Sequence, residues 1–194
     1  MRIIAGTFRS RPLQAPPGLA TRPTSDRLRE TLFNVLAPRI QGARFLDLYA
    51  GSGAVGIEAL SRGAAAVKCV ERAPAAREVL WTNLRKLGVD HVVSVHSGSV
   101  KEFLKKVSEP WDIVFLDPPY DAAAEYTATL NALGGEAAKL LAPSAVVIVE
   151  HRRKVHLEHS YGALRRTRLL EQGDAALSFY GLTEAPSGEA IRDE

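Results

Sequence analysis

An α/β fold built on a mostly parallel sheet, finished by an antiparallel hairpin and preceded by a short basic extension, is what this 194-residue sequence predicts. Three observations predict it. From residue 44 onward, short apolar runs alternate with stretches of helical periodicity, the pattern of a parallel sheet with helices on both faces. The first apolar run ends in a glycine-rich loop, Asp47-Leu48-Tyr49-Ala50-Gly51-Ser52-Gly53, that opens directly into a helical stretch. The last two runs flank Gly173-Asp174, a hairpin signal.

The extension begins with Ile3-Ile4, then Phe8 and Leu13, punctuated by Gly6 and Pro12, and reads as a small hairpin. Pro16-Pro17-Gly18 is a loop. Thr24 is placed to cap a helix whose Leu28, Leu32, Val35 and Leu36 recur at helical spacing, and Pro38 is expected to stop it. Strands are expected at 45–49, 66–71, 92–96, 113–116 and 146–149. Helices are expected at 54–61, at 74–87 with Pro74 in the first turn and Gly88 past the end, at 100–107, and within 122–141. Runs at 163–170 and 175–182 finish the sheet with an antiparallel pair. The polar, acidic stretch 184–194 reads as a disordered tail. The expected division is a basic hairpin and helix at 1–43, an α/β domain at 44–183 and the tail at 184–194.

Composition narrows the class. Hydrophobic content of 46% and charged content of 24% belong to an ordinary soluble globular chain. No stretch reaches the roughly 18 apolar residues of a membrane span, and the start lacks the apolar core of a secretory signal. Cys69 is the only cysteine, so an internal disulfide and a cysteine-rich metal site are excluded. His91, His96, His156 and His159 have no metal-ligand spacing, and no metal is expected. These features point to a cytoplasmic protein without a membrane partner, and a monomer is expected. The net charge of +3 is unevenly spread. Residues 1–44 hold eight arginines against Asp26 and Glu30, a net of +6, which leaves −3 for the rest. A basic arm before a mildly acidic body suits a polyanionic partner, and Arg9, Arg11, Arg22, Arg27 and Arg29 are the candidate contacts to nucleic acid.

The chemistry is concentrated at Asp117-Pro118-Pro119-Tyr120, which follows the buried-strand run Ile113-Val114-Phe115-Leu116. The exocyclic amino group of a base is a poor nucleophile because its lone pair is delocalised into the ring. A carboxylate and a backbone carbonyl can each accept one of its two N–H bonds and draw the nitrogen towards a tetrahedral form. Proline fixes φ and brings no N–H to compete. An aromatic ring just beyond can stack on an extruded base.

The glycine loop supplies the other half. Its glycines let the backbone turn sharply beside the positive end of the following helix. Gly51-Ser52-Gly53-Ala54-Val55-Gly56 also fits the dinucleotide fingerprint, with Glu71 at the distance of a ribose carboxylate, so a nicotinamide-dependent oxidoreductase is a real alternative. Asp47 argues against it. A carboxylate there repels a pyrophosphate but welcomes the cationic amino-acid end of S-adenosylmethionine, whose sulfonium methyl is the electrophile that the held amino group needs. Both motifs lie at C-terminal ends of strands, where ligands of open α/β sheets bind.

Arg2-Ile3-Ile4-Ala5-Gly6, the stretch from Arg22-Pro23-Thr24 to Asn34, the glycine loop and Asp117-Pro118-Pro119-Tyr120 together resemble the bacterial RsmD family. The likeness runs from residue 2 to about 182, and the Arg-Pro-Thr stretch is what narrows it. It implies a Rossmann-like class I methyltransferase with a seven-stranded sheet, in which residues 1–43 bind RNA and 44–183 form the catalytic domain. The implied enzyme uses S-adenosylmethionine, releases S-adenosylhomocysteine and modifies guanine N2 in 16S ribosomal RNA or the small ribosomal subunit. Carried onto this sequence, Asp117, Pro118, Pro119 and Tyr120 are the catalytic set. Asp47, Tyr49, Gly51, Ser52, Gly53, Glu71, Arg72, Ser99 and Val100 are the cofactor contacts. Two departures stand out: Ala5-Gly6 replaces the usual Gly-Gly, and Gly98-Ser99 stands where an acidic or amide residue often meets the adenine. A DNA or RNA adenine or cytosine amino-methyltransferase is the nearest competitor, since Asp-Pro-Pro-Tyr serves those enzymes as well.

Overall fold

The computed structural model describes residues 1–15, 26–119 and 123–183. Tyr120, Arg22, the Thr24 cap and the tail therefore lie outside the described residues. Among the described residues five α-helices, α1 (Asp26–Ile40), α2 (Ala54–Ser61), α3 (Pro74–Leu87), α4 (Val100–Lys106) and α5 (Ala123–Gly134), surround eight strands. The strands are β1 (Arg44–Asp47), β2 (Ala66–Glu71), β3 (Val93–Ser97), β4 (Trp111–Leu116), β5 (Leu141–Arg152), β6 (Ser160–Tyr161), β7 (Leu164–Gln172) and β8 (Ala175–Leu182). Their order is β3-β2-β1-β4-β5-β8-β7-β6. The first five are parallel, and β8, β7 and β6 join antiparallel. The eighth strand is the two-residue β6, too short to register as a run of its own. Chain direction across the sheet reverses between β1 and β4, which opens the crevice where open α/β sheets bind ligands.

Strand alternation splits the apolar residues between two faces. Phe45, Val67, Ile113, Phe115 and Ile148 pack with α1, α2, α3 and the extension. Leu46, Val70, Val114, Leu116 and Val147 pack with α4 and α5. Local signals fix the helix ends: α3 starts on Pro74 and closes on Gly88 at φ 71°, and Ser99 caps α4 in a reciprocal box with Glu102.

Three expectations need correcting. The extension is a turn-rich loop with a single antiparallel bridge, Arg2↔Pro12, rather than a regular hairpin. Pro38 does not stop α1, which runs on to buried Ile40. Asn34 and Pro38 both face solvent, where water can satisfy the carbonyl that the proline leaves unpaired. β5 continues beyond Val149, so His151 and Arg152 belong to the strand. His151 is buried, with Nε2 2.9 Å from Ser178 Oγ.

Residues 1–15 are built into the same core, through Ile3 and Leu13. The N–H groups of Ile4 and Ala5 donate to the buried Glu58 carboxylate on α2, at 2.7 and 3.0 Å. Gly6 sits at φ 83°, and a Cβ there would lie 1.8 Å from the Ser61 carbonyl oxygen. Gly6 is therefore the indispensable glycine of the pair, and Ala5 fits because its neighbour makes the turn. No helix among the described residues is long and apolar enough to cross a membrane.

Candidate active site

The C-terminal ends of β1, β2 and β4 open into a cleft of about 880 Å³, walled on the other side by α4 and α5. The glycine loop forms its floor. Gly53 is the N-cap of α2 at φ 81°, and a Cβ on it would come within 2.2 Å of Leu80 Cδ1. It lets the helix start close against α3, while Gly51 and Ser52 line the cleft.

Asp47 is 1% exposed at the end of β1. Its Oδ2 accepts the Gly56 N–H at 3.2 Å, and its Oδ1 has no partner among the described residues. Burial, with the Glu71 charge adding, pushes its carboxyl up to about 7 against the backbone hydrogen bonds. Glu71 is held at the end of β2 by two amides, accepting from Gly51 N–H at 2.8 Å and Ala73 N–H at 2.7 Å. Two carboxylates thus face one cleft, and the only amide of Gly51 is already engaged.

Asp117 follows β4 directly. Asp47 pairs with Phe115 in the ladder, so Asp117 stands two residues further out on the same face of the sheet. Burial, together with Glu150 and Asp47, pushes its carboxyl well above the usual range. Pro118 and Pro119 also line the cleft, and the Tyr126 hydroxyl stands 3.5 Å from the Pro118 carbonyl oxygen. Asp117 and Pro118, the two residues expected to hold an amino group, therefore line the same cleft as Asp47 and Glu71.

Tyr49, Arg72, Ser99 and Val100 line the cleft as well. The Tyr49 hydroxyl pairs with Thr129 Oγ1 at 2.8 Å, and burial raises its pKa. Arg72 pairs with Glu125 on α5 at 3.0 Å, so it fastens one wall to the other. Ser99 spends its hydroxyl on the α4 cap, with Oγ 3.0 Å from Glu102 Oε2 and 3.2 Å from the Glu102 N–H.

Arg29 is a correction. It was expected among the nucleic-acid contacts, yet it is 0% exposed. Its guanidinium donates to the Arg2 carbonyl and to Asp26 at 3.0 Å, and lies 3.8 Å from Glu58. Enclosed this way, it braces the extension and cannot reach a phosphate. Arg9, Arg11 and Arg27 are exposed.

Sequence reasoning missed Asn83 on α3. Its Oδ1 accepts the Gln14 N–H at 2.8 Å, and its Nδ2 donates to the Gln14 and Ser52 carbonyls at 3.1 and 2.9 Å. One fully buried amide thus ties the extension to the glycine loop. An asparagine inside a helix gave only a faint signal. Glu58 gave a clearer one, as the single charge in the otherwise apolar α2.

Residues 1–181 match the family described as "Conserved hypothetical protein 95". A Bacillus subtilis protein, "Putative rRNA methyltransferase YlbH", is 34% identical over 183 residues, covering 93% of this chain and 98% of that protein. Ribosomal RNA small subunit methyltransferase D of Escherichia coli is 47% identical over 120 residues, which span 62% of this chain and 60% of that protein.

The chain belongs to the RsmD family.

A solved Escherichia coli structure, "Putative methyltransferase yhhF", matches with a TM-score of 0.81 at 38% identity, covering 94% of this chain and 97% of that one. The sheet is accordingly that of a class I methyltransferase, with antiparallel strands at its C-terminal end. In this RsmD-family chain the glycine loop and Asp117-Pro118 share one cleft.

Proposed function

We propose that this protein is an S-adenosylmethionine-dependent methyltransferase that modifies the exocyclic N2 amino group of a guanine in 16S ribosomal RNA of the small subunit. The observation that carries the reading is a single cleft lined by Asp47, Glu71 and Asp117-Pro118.

The donor set fits S-adenosylmethionine. Asp47 offers an unpartnered, buried oxygen to an ammonium group, and Glu71 offers a carboxylate to ribose hydroxyls. Val100 and the backbone at Ser99 offer a wall to adenine, because the Ser99 hydroxyl is occupied. A dinucleotide fits poorly. Two carboxylates would face its phosphates, and the Gly51 amide that would cradle them is bonded to Glu71. When bound, S-adenosylmethionine supplies a methyl group on a positively charged sulfur.

The chain's own residues then position the acceptor. Asp117 and the Pro118 carbonyl each accept one N–H of the guanine amino group, which leaves the nitrogen lone pair aimed at the methyl. Tyr120, which follows Pro119, stacks on the base. Holding the two reactants in line supplies most of the catalysis. Once methylated, the nitrogen is acidic, and its extra proton leaves to water or to Asp117. The raised proton affinity of that carboxyl suits it to the task. Arg9, Arg11, Arg22 and Arg27 engage the RNA backbone, and the RNA target places the reaction in the cytoplasm.

Names of the relatives support an rRNA substrate, and guanine N2 rests on the family resemblance. Asp117→Ala is expected to abolish methyl transfer to 16S rRNA while S-adenosylhomocysteine affinity stays within about threefold of wild type. Near-normal turnover in that variant would remove Asp117 from the mechanism.

A further inference from the structure

A second basic surface lies beside the site and takes no part in the chemistry above. Over residues 151–174 Arg152, Arg153, Lys154, Arg165, Arg166 and Arg168 stand against Glu158, Glu171 and Asp174. This concentration is local, because the chain after residue 44 is net negative. Arg44 and Lys68 pair with Glu109, Arg62 with Glu58, and Arg72 with Glu125. Arg153, Lys154, Arg165 and Arg168 are exposed and make no ion pair among the described residues.

Position gives this surface its meaning. Ile148, Glu150 and Arg152 share one face of β5, the face that carries Phe115 on β4, and Asp117 lies two residues beyond Phe115. Arg168 pairs with Phe179, and Phe179 with Ile148, so Arg168 lies on that face too. With strands about 4.8 Å apart and about 3.3 Å per residue, the Arg152 backbone lies roughly 8 Å from Asp117 and that of Arg168 roughly 16 Å. At about 3.4 Å of rise per nucleotide, those spans correspond to roughly two and five nucleotides of one strand.

The rim is also preformed. The Arg153 N–H donates to the Asp174 carbonyl at 2.8 Å, and the Val155 N–H to the Arg152 carbonyl at 2.8 Å. The His151 ring sits 2.9 Å from both the Arg152 carbonyl and Ser178 Oγ, which pins the strand end. On the opposite side of Asp117, the extension docks on α2 and α3, the helices that cover β1 and β2. The target base would therefore lie between two basic surfaces.

We propose that Arg152, Arg153, Lys154 and Arg168 form a second phosphate-binding rim, which grips the RNA strand on the far side of the target base from the N-terminal extension. The proposal rests on the RNA-methylation reading. Two grips flanking one nucleotide hold the strand while its base leaves the stack for the Asp117 cleft.

The test is the full-length R153Q/K154Q/R168Q variant against wild type, with a labelled 16S rRNA transcript titrated over a range of salt concentrations. RNA affinity at low salt is expected to fall about tenfold or more. The log–log salt slope should become shallower by about 2, at roughly 0.7 per lost phosphate contact on single-stranded RNA. S-adenosylhomocysteine affinity and the thermal midpoint should not change. An unchanged slope and affinity in a variant of a wild type that binds and methylates the RNA overturns the rim alone. If the wild type itself neither binds nor methylates 16S rRNA, whether as the free transcript or within intact small subunits, the RNA reading falls first and the rim with it. A variant that keeps its RNA affinity but loses affinity for a poly-glutamate probe assigns the rim to an acidic protein and overturns the proposal as well.

Discussion

Asp47 should work against the stability of the unliganded protein and in favour of its ligand. Its carboxyl is pushed from the ordinary 3.8 to about 7 by burial. A folded-state pKa above the unfolded one means that the charged form is disfavoured in the native state. The penalty is absent below about pH 4, grows as pH rises, and is fully present above about pH 7. Three units correspond to about 4 kcal/mol as an upper bound. Asp47→Asn removes the charge at nearly constant shape, so unliganded variant should be more stable than wild type at pH 8, with the gain fading towards pH 4. Ligand binding should reverse the order. Between pH 6 and 7.5 the ionised fraction of a group with pKa near 7 rises from about a tenth to about three quarters, so wild-type affinity for S-adenosylhomocysteine should rise about eightfold. The variant should lack that dependence and bind about 10- to 100-fold more weakly at pH 7.5, the worth of one charge-assisted hydrogen bond. Denaturant unfolding with and without ligand, beside calorimetric titration across pH, reads both effects. A variant that is less stable at pH 8 yet binds S-adenosylhomocysteine as wild type does would refute the assignment.

Other expectations follow from named contacts. Asn83→Ala strands three backbone groups and should cost about 2–4 kcal/mol of unfolding free energy. Hydrogen exchange should quicken at both Gln14 and the glycine loop, and a change confined to one of them would show that Asn83 does not couple the two. Arg29→Met should destabilise the fold by about 3–5 kcal/mol, because it breaks a buried ion pair. Arg27→Gln, on the exposed face of the same helix, should alter stability by less than about 0.5 kcal/mol and weaken RNA binding instead. Equal effects in the two variants would contradict the separate roles.

The parts of the fold set by local chemistry were legible in the sequence. Helices α2 and α3 and strand β2 have the expected ends, because Gly53, Pro74, Gly88 and the apolar runs between them carry their own boundary signals. The glycine loop and Asp117-Pro118 were legible as separate motifs, and the parallel topology brings them to one cleft. Long-range burial was not legible. Arg29 looked like a surface charge because its partners Arg2 and Glu58 are distant in sequence. β5 looked short because its continuation is polar, and only pairing with β8 shows that Glu150 and His151 are interior. Pro38 misled for a related reason: its cost depends on whether solvent reaches the freed carbonyl, which periodicity does not reveal.

Nucleoside analysis of 16S rRNA, incubated with the protein and methyl-labelled S-adenosylmethionine as free RNA and as intact subunits, tests the central claim most directly. Label recovered as N2-methylguanosine, and lost with Asp117→Ala, is the result expected. Label recovered as N6-methyladenosine or N4-methylcytidine, or no transfer to either substrate, would contradict it.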